Sequence, residues 1–379
     1  MSRIKKSIEK NKIEEKKPKR KSKLKKFIIL ILIIGIFGFA IKTAISINTW
    51  QNLALDMTVN RPSQVIDSEG EIIAEIGSEI NRENVSFDKI PENLKNAYVA
   101  IEDERFYKHF GVDIKRTVAA IGNYILRGGK ASFGGSTITQ QLVKNITGDD
   151  SSSPTRKVKE WAKAAQLEWC MDKDRILESY LNVIYVGPNV YGVQMGAKYY
   201  FDENVTDLSL VQCAFLAGIN NAPNAYNPFN EEKDNTEKIE KRTKTVLNKM
   251  LELGYISEDE YNQAVEEVEA GIEFEKGDIE PEGNGVYSYH TDALLSEVIT
   301  DLAEDKNISK TFATNYLYMA DAKIYSTQKS SIQDEIETEF EKKQYILKSN
   351  NNDDETSQAA MIIIDHKTGH VLGCAGGFG

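Results

Sequence analysis

Apolar positions in this 379-residue chain fall into three regimes. From Phe27 to Ile47 the chain is apolar almost throughout, and as a helix these 21 residues would extend roughly 31 Å, the depth of one bilayer core. No polar face interrupts Phe27 to Ile41, which argues against a helix lying flat on a membrane. Lys42 sits near the outer end, where its stem can reach the interface. The sequence Lys42-Thr43-Ala44-Ile45-Ser46-Ile47 makes a poor cleavage site, so an uncleaved anchor is predicted rather than a signal peptide.

Beyond about residue 79 the spacing becomes that of amphipathic helices. Over 92–107, Leu94, Ala97 or Tyr98 and Ile101 recur at helical intervals and lead to Glu102. A second run covers 112–127 and ends at Gly128-Gly129. Ser153-Pro154 supplies a cap and a first-turn proline for a helix to about Glu168, and another runs from Asp172 to Ile184. Thr206 is read as the cap of an apolar helix ending at Gly218, and Ser257 with Glu260 as a capping box. Nothing between 79 and 270 alternates long enough for an extensive sheet. After 286 the pattern changes again: Ala322–Thr327 and Ala359–Gly377 read as strands and a hairpin, around a polar loop from Lys348 to Ser357.

Charge adds an orientation. The first 26 residues carry 13 Lys or Arg against 3 Glu, which places the N-terminus in the cytoplasm and the chain beyond the anchor outside it. The other 353 residues carry a net charge of −21, so no nucleic-acid partner is expected. Three cysteines, Cys170, Cys213 and Cys374, are too few and too scattered for a disulfide framework or a zinc site; Cys170 and Cys213, in apolar helical runs, read as buried thiols.

Five polar motifs lie between Glu102 and Pro228. They are Glu102-Asp103-Glu104-Arg105-Phe106-Tyr107-Lys108-His109-Phe110-Gly111, Gly135-Ser136-Thr137-Ile138-Thr139-Gln140-Gln141-Leu142-Val143-Lys144-Asn145, Arg156-Lys157-Val158-Lys159-Glu160, the run Lys173 to Gly187, and the run Ala214 to Pro228. In this order they closely resemble the peptidoglycan glycosyltransferase module of class A penicillin-binding proteins and its monofunctional relatives. The resemblance implies a mainly α, lysozyme-like helical glycosyltransferase domain after a single transmembrane helix, with a short α+β stub at the C-terminus. The expected division is a basic cytoplasmic tail (1–26), the anchor (27–47), a linker (48–78), the glycosyltransferase domain (79–250), a helical extension (251–285), and a linker with an incomplete start of a transpeptidase domain (286–379).

Joining sugars from a lipid pyrophosphate needs a base for the attacking hydroxyl and cations for the departing pyrophosphate. The resemblance places the family's catalytic glutamate at Glu102; by composition alone it would pass for a surface residue of an acidic stretch. Asp103, Phe106, His109 and Gly111 read as shaping the loop around it. Ser136 and Thr137 can cap a helix that projects Gln140 and Lys144 from one face, a geometry suited to phosphate, although a capped helix with a solvated lysine fits equally. The resemblance implies that Gln141 and Lys144 line the donor site. Arg156 and Glu160 pair at i and i+4 in the order less favourable to a helix, and the family uses these positions for phosphate binding and as a second acidic residue. Whether Glu160 stabilises charge on the donor sugar or orients Arg156 stays open. Glu178, Asn182 and Tyr185 form a polar stripe that supports the cleft floor. The apolar run from Val118 could dip into the bilayer or pack as a core helix.

Implied partners are lipid II, the growing glycan strand, the bilayer and proteins of cell-wall synthesis or division. No cofactor is obligatory and no protein metal site is expected; a divalent cation such as Mg²⁺ could assist. Ser326, Ser349 and Lys367 mimic the order of a transpeptidase nucleophile set, but the span 326–369 is far too short to hold such a site. Gln358 to Gly377 looks instead like the opening strands of that domain, ahead of its nucleophile, so transpeptidase activity is not expected. A lysozyme-like glycan cleaver and a catalytically silent scaffold remain as alternatives.

Overall fold

The computed structural model describes residues 50, 52–57, 60–77, 83–119, 135–149, 154–279, 287–342 and 357–376. The expected anchor and basic tail lie outside these residues, within the unit Met1–Thr49; all described residues belong to the second unit, Trp50–Gly379. Among the described residues no helix is long and apolar enough to cross a membrane.

A helical lobe carries the five motifs. In chain order its helices are α1 Glu92–Glu102, α2 Ile138–Thr147, α3 Pro154–Cys170, α4 Lys173–Val183, α5 Val193–Phe201, α6 Leu210–Ile219, α7 Thr236–Glu252 and α8 Glu258–Ala270. α6 is apolar on all sides and almost wholly buried, as a helix must be when it has no polar face to give to water. α1 and α7 both pack on it, and the buried Tyr98 hydroxyl of α1 donates to Leu216 O at 3.1 Å. α2 packs against α3 and α4. The predicted capping box at Ser257 with Glu260 is present, and the helix expected from Asp172 has that residue as its N-cap.

Three local expectations are corrected. The amphipathic run from 92 stops being helical at Glu102, because Asp103 adopts an extended φ of −155° and Phe106–Lys108 coil into a 3-10 turn. Thr206 lies within another 3-10 turn, Val205–Asp207, so Ser209 caps α6 instead, with Gln212 completing the box. The polar stripe ends with α4 at Val183, and Tyr185 belongs to a strand.

The strands are β1 Ser63–Ile66, β2 Ile72–Ile76, β3 Tyr185–Gly187, β4 Val190–Tyr191, β5 Lys323–Tyr325, β6 Ala360–Ile364 and β7 Val371–Gly376. β1 pairs antiparallel with β2 and parallel with β5, a partner from the far end of the chain. β3 and β4 make a minimal hairpin inside the helical lobe, and β6–β7 form the hairpin read from sequence. The C-terminal helices are α9 Tyr289–Lys306, α10 Lys310–Met319 and α11 Ser330–Phe340. The Gln333 side chain of α11 bonds both the N–H and the C=O of Cys374 in β7. α10 lies on α2, where Asn315 Nδ2 donates to Ile146 O at 3.0 Å and satisfies a carbonyl of the last helical turn.

Candidate active site

Glu102 is the last residue of α1, and its carboxylate is held by neutral donors from two other motifs. Gln141 Nε2 of α2 donates to Oε2 at 2.8 Å, and Asn220 Nδ2, just beyond α6, donates to Oε1 at 3.1 Å. The Tyr180 hydroxyl of α4 closes the ring: it donates to Gln141 Oε1 at 2.9 Å and accepts from Asn220 Nδ2 at 2.8 Å. Burial together with the Glu102 charge holds the Tyr180 phenol well above its ordinary pKa, so it is a fixed hydrogen-bonding group rather than a titrating one. A carboxylate offers about four acceptor positions, so these two amide bonds leave capacity for an incoming hydroxyl.

Asp103 faces the other way and is fully buried. One oxygen accepts from the Ile138 N–H at the start of α2 (3.1 Å) and lies 2.8 Å from His109 Nε2. A carboxylate at a helix N-terminus is favoured by the exposed N–H groups there, so the first motif anchors the second. Gly111 continues the link. Its carbonyl accepts from Thr137 Oγ1 at 2.7 Å, and Thr137 caps α2 by accepting from Gln140 N. Gly111 has φ +75°, and a Cβ there would lie 2.6 Å from the Ala164 backbone of α3. Phe106 is buried beneath the loop, with Lys173 Nζ 4.4 Å from its ring centroid.

The third motif supplies charge. Arg156 Nη1 lies 2.5 Å from Glu160 Oε2, and Lys157 Nζ pairs with Glu160 Oε1 while also donating to Ser136 Oγ at 2.7 Å. Glu160 is 5 % exposed. The exposed Lys144 joins Arg156, Lys159, Glu160 and Lys163 in lining one pocket between α2 and α3.

Of the sequence-predicted residues, Glu102 and Gln141 meet directly, as do Ser136, Arg156 and Glu160 through Lys157, while Lys144 lines the pocket of the latter pair. Gln140 stands apart: it is 1 % exposed and its amide reaches back to Gly111 O, so it is part of the frame rather than of an open surface. Asn182 binds Val85 through both N–H and C=O, and the Tyr185 hydroxyl donates to Asn224. The Glu178 backbone carbonyl accepts from Asn182 Nδ2 at 3.0 Å. Sequence reasoning passes over Tyr180, Asn220, Lys157 and Lys163. The first three lie inside the quoted motifs, which is the available signal; Lys163 lies outside them.

The helical lobe with its ordered motif set coincides with a family match. Residues 69–251 match the family described as Transglycosylase, and this part of the chain belongs to it. Penicillin-binding protein 1A of Clostridium botulinum (strain Langeland / NCTC 10281 / Type F) is 37% identical over 381 residues, covering 96% of this chain and 45% of that protein. Penicillin-binding protein 1A of Clostridium perfringens (strain 13 / Type A) is 35% identical over 383 residues, 96% of this chain and 56% of the relative. Penicillin-binding protein 1F of Bacillus subtilis (strain 168) is 41% identical over 244 residues, 63% of this chain and 33% of the relative. The chain spans about half the length of the first two relatives, and it carries the glycosyltransferase module of the class A penicillin-binding proteins.

Proposed function

We propose that this module polymerises lipid II into β-1,4 glycan strands at the outer face of the cell membrane, releasing undecaprenyl pyrophosphate. The reading is carried by one observation: α2 joins a carboxylate to a cationic pocket. Gln141 touches Glu102, and Lys144, one turn further on, lines the pocket that holds Arg156. Glu102 takes the proton from the acceptor 4-hydroxyl, which attacks the anomeric carbon of the growing chain with inversion. The glycosidic C–O bond forms as the bond to pyrophosphate breaks, and Lys144, Arg156 and Lys157 stabilise the charge that develops there.

No group of three or more His, Cys, Asp or Glu side chains is placed to hold a metal among the described residues, and Glu160 already pairs with two cations. A divalent cation such as Mg²⁺, where it assists, would be held by the pyrophosphate oxygens. Exposed Ile114 and Val118, one turn apart, support an apolar approach to the bilayer. Membrane anchoring through 27–47, with the N-terminus inside, belongs to the same proposal, as do cell-wall synthesis or division proteins as partners.

The test is polymerisation of labelled lipid II by the detergent-solubilised chain, wild type beside Glu102→Gln, with products resolved by size. Long strands from wild type alone are expected. An active Gln variant would remove Glu102 from its role, shortened glycan would point to a cleaving enzyme, and no product from a folded wild type would leave a silent scaffold.

A further inference from the structure

Lys163 is placed where a lysine is costly. It sits on α3 one turn beyond Glu160 and two turns beyond Arg156, so it continues their face of the helix. Its Nζ lies 5.5 Å from the ring centroid of buried Trp50 and 5.7 Å from that of buried Phe312, which reaches over from α10. Among the described residues no carboxylate forms an ion pair with it. Burial pulls its pKa below the ordinary lysine value, the charge of Asp149 offsets part of that effect, and Lys159 adds to it. A methionine would fill the same slot between two aromatic rings without removing a charge from water. The aromatic faces compensate only in part, since a cation over a ring recovers about 0.5–2 kcal/mol.

The open side of Lys163 faces the pocket it shares with Lys144, Arg156 and Lys159. Glu160 is already engaged by Arg156 and Lys157, and with Asp149 as the other carboxylate the pocket sets four cations, Lys144, Arg156, Lys159 and Lys163, against two carboxylates. A diphosphate at the mouth of this pocket, whose enclosed volume is about 30 Å³, would meet these cations together, and the half-buried Lys163 gains from it because water screens it less than an exposed lysine.

We propose that Lys163 is a further binding residue for the diphosphate of the lipid-linked donor, held ready by Trp50 and Phe312. The proposal rests on reading this pocket as the donor diphosphate site. It also links α10, which lies beyond the transglycosylase segment in the chain, to that site through Phe312 against Lys163. The residue acts on donor binding rather than on the proton transfer at Glu102, so it should move KM and leave kcat nearly unchanged.

The experiment uses the full chain in detergent, wild type beside Lys163→Met and Lys163→Arg, with inorganic pyrophosphate as the binding ligand and lipid II as substrate. The expected result is a roughly tenfold loss of pyrophosphate affinity and a roughly tenfold rise in KM for Lys163→Met, with thermal stability kept or raised and with Arg restoring most of the loss. Wild-type affinity and KM in a folded Met variant would overturn the proposal and leave Lys163 a packing residue. Should the Met variant fail to fold, Lys163→Gln carries the same comparison. Failure of the functional reading looks different: a wild type that binds pyrophosphate without making polymer would sink lipid II polymerisation, while the affinity comparison would still decide the role of Lys163.

Discussion

Replacing Gly111 with alanine should destabilise the protein far more than the loss of a flexible residue. Gly111 has φ +75°, a conformation that costs an L-residue about 1–2 kcal/mol. A Cβ would also stand 2.6 Å from Ala164 C, 2.7 Å from Ala164 O and 2.7 Å from Ala165 N. All three are backbone atoms of α3, so no side chain can swing aside, and the loop or the helix must shift at a cost of about 1–3 kcal/mol. That shift would stretch the 2.7 Å bond from Thr137 to Gly111 O, worth about 1 kcal/mol. The sum is about 3–6 kcal/mol, which reaches the upper end for a single substitution. Gly254 supplies the control, because it shares φ +75° but a Cβ there would meet nothing within 4 Å. Gly254→Ala should therefore cost only the backbone part, about 1–2 kcal/mol. Urea unfolding of both variants in detergent, compared at equal slopes, measures the difference. Equal destabilisation would refute the reasoning, for it would mean that the first motif and α3 are not locked together at this point.

Tyr180→Phe removes both hydroxyl bonds that brace Gln141 and Asn220 around Glu102, and should lower polymerisation about tenfold while costing about 1–2 kcal/mol of stability; unchanged turnover would show that the ring does not orient the base. Asp67 has its pKa lowered to about 2 by the Ser330 hydroxyl and two backbone N–H groups, so its folded form prefers the charged state. Its contribution is complete above the ordinary value near 3.8 and is lost as pH falls toward about 2; Asp67→Asn should melt lower than wild type at pH 7, and the gap should close across that window. A gap independent of pH would refute it. The Cys213 thiol is pushed up to about 12 by burial whereas Cys170 is exposed, so maleimide at pH 7 should label Cys170 in the native protein and Cys213 only after unfolding. Labelling of both at one rate would contradict the buried position of α6.

Sequence is legible where the physics is local. The capping box at Ser257 and Glu260 needs only four residues, and the β6–β7 hairpin is announced by two apolar runs on either side of the turn Asp365–Gly369. Thr206 is the cap read from sequence, but Ser209 with Gln212 three residues on completes a capping box, and Val205 turns inward and is fully buried. Cys170 reads as buried from its apolar run, yet it is the final residue of α3 and faces water. The pairing of β1 with β5 has no local signal, since four residues of strand find their partner across nearly the whole described chain. At the site, Glu102, Lys144, Arg156 and Glu160 are legible from motif order. Their supports are not: Tyr180 reads as an apolar face of α4, and its hydroxyl gains meaning only when α2 and α6 arrive beside it.

The two glutamates differ in the kind of partner they keep, and the roles proposed for them follow that difference. Glu102 is held by the amides of Gln141 and Asn220, which fix its orientation without an opposing charge. Glu160 is held by Arg156 and Lys157, so its charge is spent on positioning two cations. Exchange of these environments would defeat both roles: an ammonium against Glu102 would compete for the proton it is proposed to accept, and amides around Glu160 would leave Arg156 and Lys157 without a fixed aim. α2 keeps the environments separate while binding them into one frame, with Gln141 turned to the carboxylate, Lys144 to the pocket, and its first turn fastened to Asp103 and Gly111. On the proposed reading, the amides hold the base in one orientation while the cations of the pocket lie where a departing pyrophosphate would need them.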